Sequence, residues 1–167
     1  RICEFTNVHW IVSVETTGDE YNYIRYGGNW QQFARNLSRI KNTGHKITFN
    51  MLHFMLNYLS IFDCIEYLQS QGFHNNSFVV GPVTDPEYFD IRNLPDSVLQ
   101  QVQLQLETRI ANGPGYLLEN GYRNMLQHIQ KPFVKNINEF REMLQQLDQR
   151  RNLNSRAVFP ELYGLYE

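Results

Sequence analysis

Three short runs rich in β-branched and aromatic residues, His9 to Glu15, Lys46 to Leu52 and Ser77 to Val83, are separated by two amphipathic stretches. This alternation constrains the fold more than any other feature. Strands that are apolar nearly throughout, joined by helices, predict a parallel sheet covered by crossover helices. The first helix is predicted over about twelve residues after an Asn29 cap, with Trp30, Phe33, Leu37 and Ile40 on one stripe and Gly44 ending it. The second runs from about Tyr58 to Gln71 on Ile61, Phe62, Ile65 and Leu68, and Gly72 closes it. The first run is bounded by Thr16-Thr17-Gly18.

The second part of the chain is helical. Val98, Val102, Leu106 and Ile110 form one stripe, Tyr116 to Ile129 a second helix, and Asn138 to Arg150 a third, with Phe140, Met143, Leu144 and Leu147 inward. The tail from Asn152 is aperiodic, although Val158 to Leu162 could tuck onto the body. The expected fold class is therefore α/β, a partial (half) TIM barrel over residues 1–94 followed by a helical extension over 95–167. At 167 residues, 42% of them hydrophobic, the chain has enough apolar material for one packed core. A net charge of −2 argues against nucleic acid or an acidic membrane as the main partner. No apolar run approaches the roughly 20 residues of a membrane span. Cys3 and Cys64 are read as free thiols of a cytoplasmic protein, and the two glycosylation-type sequons, at Asn36 and Asn75, as chance matches. The opening Arg1-Ile-Cys-Glu suggests the end of a helix entering a strand, so that the chain is expected to be part of a longer one.

Ligands of parallel α/β folds bind at the C-terminal ends of the strands. There, alternation puts Ser13 and Glu15 on one face of the first strand, and Arg25 follows in the loop or first turn above. The guanidinium could pair either Glu15 or a ligand carboxylate. The second strand offers Asn50. Asn57 reads as a helix cap, and Gly81 to Val83 offers close backbone approach beside an apolar wall. The histidines His9, His45, His53, His74 and His128 show no metal-ligand spacing and read as structural or exposed. Dinucleotide, phosphate-loop and nucleophile-elbow motifs are absent.

Val12-Ser-Val-Glu15, Ile24-Arg-Tyr-Gly-Gly-Asn-Trp30, and Phe49-Asn-Met-Leu-His-Phe-Met-Leu-Asn57 with Gly72 after a helix resemble the later half of the radical S-adenosylmethionine (SAM) enzyme core. Within that superfamily they are similar to the branch with SPASM or twitch extensions. Leu147-Asp-Gln-Arg-Arg151 and Phe159-Pro-Glu-Leu162 resemble the tails of twitch-type members. The resemblance implies that Ser13 and Arg25 contact the ribose and methionyl carboxylate of SAM. It also implies that Glu15 and Asn50 lie near the cofactor, and that the wall ending at Val83 packs by the adenine. It implies a parent enzyme that abstracts a hydrogen atom from an unknown substrate, a peptide among the options, using a [4Fe-4S] cluster. The cluster's C-x-x-x-C-x-x-C motif is absent from this sequence, so its ligands are expected outside this chain. Two other readings stay open: an aldolase-like barrel fragment with Glu15 as general base, and a binding or scaffold module. Unpaired strand edges would favour oligomers.

Overall fold

The computed structural model describes residues 7–166. The opening segment with Cys3 lies outside the described residues. Three strands, β1 (His9–Ser13), β2 (Lys46–His53) and β3 (Phe78–Pro82), form one sheet in the order β1-β2-β3, parallel throughout. Helices α2 (Trp30–Lys41) and α3 (Ser60–Ser70) lie in the crossovers. The helical part comprises α4 (Asp96–Ala111), α5 (Tyr116–Ile129), α6 (Ile137–Arg151) and two short helices, α7 (Ser155–Val158) and α8 (Pro160–Gly164). The result is an α/β domain with an open three-stranded parallel sheet.

Local chemistry accounts for these elements. The Asn29 side chain accepts the Gln32 N–H at 2.9 Å and starts α2, relieving an amide that the helix itself leaves unpaired. Gly44, at φ +72°, lets the chain turn back into β2. On the covered face, Phe49 stacks on Phe78 (5.4 Å between centroids) and meets Phe73 edge-on (4.8 Å). Helix α5 also lies on this sheet, against β3, with Gly121 over Val80. One hydrophobic cluster thus runs from the sheet through α3, α4, α5 and α6 to Phe159 and Leu162 of the tail, and residue 94 falls inside it.

Four details differ from the sequence-based expectations. First, a helix that the sequence pattern does not announce stands between β1 and α2: α1 spans Gly18–Ile24 and buries Tyr21 and Tyr23. Second, Asn57 is not the cap of α3. It sits fully buried in a 3-10 turn, accepting the Phe54 N–H at 2.8 Å and donating to the carbonyls of Leu52 (2.8 Å) and Glu15 (3.1 Å). Third, the aperiodic tail forms α7 and α8. Fourth, among the described residues helices cover only one face of the sheet. Ile47, Phe49, Met51, Phe78 and Val80 are buried, whereas on the other face Ile11, Val79 and Leu52 are 69%, 46% and 42% exposed.

Candidate functional site

The open face carries the polar pair. Register places Ser13 opposite Asn50 and Asn50 opposite Val79, so the hydroxyl and the amide are cross-strand neighbours. Both are exposed, and neither side chain makes a hydrogen bond among the described residues. Leu52, two residues beyond Asn50 on the same face, lines a cleft of about 390 Å³ at the C-terminal ends of the strands. Glu15, Arg25 and Val83 line the same cleft. The structure thus gathers Glu15, Arg25 and Val83 around the cleft and sets Ser13 and Asn50 side by side on the sheet leading to it.

Glu15 reaches this place because Asn57 clamps its carbonyl, joining the end of β1 to the end of β2. Helix α1 then brings Arg25 back over it. The Arg25 Nε donates to Glu15 Oε2 at 2.8 Å, and Nη2 donates to Oε1. Glu15 is buried, and burial raises its pKa above the ordinary carboxylate range although the hydrogen bonds and charge of Arg25 pull the other way. Of the two pairings open to Arg25, the one with Glu15 is formed, and Nη1 is the guanidinium nitrogen without a partner among the described residues. As a general base, Glu15 would have both oxygens already engaged. Val83 is held by its own backbone, its N–H donating to the His53 carbonyl at 3.0 Å.

The remaining walls come from Phe54, Leu56, Tyr88 and Phe89 after the strands, and from Met143, Leu147 and Arg151 of α6. Tyr23 and Ile24 enter through α1, whose helical character the sequence pattern hides. Arg151 is the last residue of α6, one beyond the end predicted for that helix, and no local signal places it over the cleft. A smaller cavity of about 210 Å³ between α6 and the tail shares no lining residue with this one.

No group of three or more metal-ligating side chains occurs among the described residues. Cys64 is a buried free thiol whose pKa burial pushes up, so it offers no thiolate. His53 is completely buried on the covered face, its Nε2 donating to the Tyr58 carbonyl at 3.1 Å. His128 is buried against Asp90. His9, on the open face, bonds Thr48 Oγ1 at 2.8 Å. No helix among the described residues is long and apolar enough to cross a membrane. Comparison with protein-family models, curated proteins and solved structures finds no match for this chain.

Proposed function

We propose that this chain is the nucleoside-binding side of a half barrel of the radical SAM type, holding SAM where the open sheet face meets the strand-end cleft. One observation carries this: among the described residues a parallel sheet is left bare on one face, and that face presents an unpaired hydroxyl and amide, Ser13 and Asn50, next to the cleft of Glu15 and Arg25. Parallel sheets normally have both faces covered, or close on themselves around a lumen, so a bare face with polar groups at its C-terminal end fits a ligand surface.

In this role Ser13 and Asn50 offer donors and acceptors to a ribose. Val83 and Leu52 supply an apolar wall for a flat base. Glu15 holds the Arg25 guanidinium in one orientation, and Nη1 remains to meet a carboxylate. SAM, when bound, would supply hydrogen-atom abstraction chemistry in the parent enzyme. The described residues do not fit the iron–sulfur cluster which that chemistry needs, because the two cysteines of the sequence cannot form its three-thiolate set and Cys64 is buried. The chain's own contribution is binding and orientation.

Isothermal titration of SAM into the wild type and the S13A/N50A double variant tests the proposal. Both side chains are exposed and without hydrogen bonds in the structure, so the variant keeps the fold. Losing two ligand hydrogen bonds should weaken binding about 10-fold or more. Equal affinities, or no binding by the wild type at millimolar SAM, would overturn it.

A further inference from the structure

We propose that the part of the cleft under α6 binds a ligand with an apolar body and one terminal carboxylate, and that Arg151 is the carboxylate contact. As a substrate site this rests on the function proposed above; as a binding site it stands on the cleft alone.

Four charged side chains line the cleft: Glu15, Arg25, Asp85 and Arg151. Glu15 and Arg25 are paired with each other, and Nη1 of Arg25 is taken by the SAM carboxylate in the function proposed above. Asp85 is exposed at the rim, where water solvates it. Arg151 is different. It is half-buried, and its guanidinium lies over the Tyr26 ring at 5.0 Å, with no acidic partner and no hydrogen bond among the described residues. The ring constrains the planar group without using its N–H donors, so the fork is ready to take two oxygens of a carboxylate.

The helix supplies the rest of the ligand's description. Met143, Leu147 and Arg151 follow one another at intervals of four and share a stripe on α6. All three face the cleft, whereas Phe140 and Leu144 bury themselves in the core. The stripe therefore reads apolar, apolar, cation over about 12 Å of helix. Beside it, Tyr88 and Phe89 of the segment packed against α6 are aromatic. Two cations against two carboxylates leave the lining neutral overall, which suits a monoanion better than a phosphate dianion. A carboxylate on a small apolar acid and the C-terminal carboxylate of a peptide ending in an apolar residue share this chemistry.

The test uses 3-phenylpropionate and its amide, and acetyl-Ala-Ala-Phe and its C-terminal amide, titrated into the full chain, with SAM titrated into the same samples. In the wild type each acid should bind at least about 10-fold more tightly than its amide, as a charge-assisted bond to a half-buried guanidinium implies. Arg151→Gln should erase that preference and Arg151→Lys restore part of it, while SAM binding stays unchanged in both. The tighter of the two acids names the source of the carboxylate. Acids and amides binding alike in the wild type, or a preference that survives Arg151→Gln, would overturn the proposal. A wild type that binds no SAM yet keeps the acid preference would sink the proposed function and leave the carboxylate site standing.

Discussion

Glu15 and Arg25 show how one pair can be both a structural clip and the floor of a site. The carboxylate is buried, its partner's side chain is 38% exposed, and the pairing is bidentate. Removing the guanidinium would strand a charge where water cannot reach it. Arg25→Ala is therefore expected to destabilise the protein by about 2–3 kcal/mol at pH 7.5, below the upper end for buried pairs because Arg25 itself meets solvent. Burial already raises the Glu15 pKa, so a Glu15 without its partner should take up a proton readily. The loss measured by urea unfolding should accordingly shrink at pH 5.5, and Glu15→Gln in the Arg25→Ala background should recover part of it at pH 7.5. A loss independent of pH would mean that Arg25 acts only through packing. The alternation of β1 makes the candidates at 13 and 15 legible, and Arg25 stands out as the guanidinium just beyond them. Which partner Arg25 takes was not legible, because the fold of residues 18–24 decides it. Arg151 was invisible for the same reason: 126 positions separate it from Arg25, as their numbers show, and only packing brings both to one cleft.

At the scale of elements, those with a full stripe of their own were readable and those held by their neighbours were not. Helices α2 and α3 show their apolar spacing, and α4 and α6 show theirs. Helix α1 has seven residues, too few to be stable alone, with buried tyrosines at positions 21 and 23 that fit neither face of a clean helix. It is fixed from outside. Tyr21 packs edge-on against Trp30 at 5.4 Å, and the Tyr23 hydroxyl donates to Asp148 at 2.9 Å, tying α1 to α6. The contact of α5 with the sheet gives a sharper case. A Cβ on Gly121 would lie 2.9 Å from the Val80 carbonyl oxygen and 3.0 Å from its Cβ, neither of which can swing aside. Gly121→Ala should cost about 1–3 kcal/mol from overpacking, even after the roughly 1 kcal/mol that alanine contributes in a helix. Gly81→Ala, on the same sheet with nothing within 4 Å of its Cβ, should be close to neutral. Denaturant midpoints of the two variants decide this, and equal shifts would show that α5 can lift off β3 without penalty.

At the scale of the whole molecule, the described residues form a sheet with one wet face and one dry face, and the apolar strands did not announce it. Hydrophobicity states which residues gain by burial, not whether a covering layer is present; Ile11, Leu52 and Val79 read as core and stand exposed. The dry side holds the buried histidines, and it sets how stability depends on acidity. Burial lowers the His53 pKa to about 4, with the Tyr58 carbonyl working weakly against it, and Nδ1 has no partner among the described residues. His128 is lowered too, by burial first, while Asp90 opposes. For both, the unfolded chain binds the proton more readily than the folded one, so stability must fall as pH drops below about 6.5. For His53 alone the window from about 6.5 to about 4 corresponds to roughly 3 kcal/mol at most. Asp90 has the reverse origin and the same outcome at lower pH. Burial disfavours its charge, but the hydrogen bonds from Arg92 and His128 outweigh burial and depress its pKa, so its contribution disappears only below about pH 4. Glu15 and Glu20, raised by burial, act in the opposite sense and gain stability as they take up protons. Between pH 7 and pH 5.5 the histidines, which the unfolded chain protonates from about pH 6.5 downward, contribute a loss of stability as pH falls. His53→Gln, which keeps a donor for the Tyr58 carbonyl and cannot titrate, should be less stable at pH 7.5 yet flatten this slope in urea unfolding. An unchanged slope would show that the acid sensitivity does not come from His53.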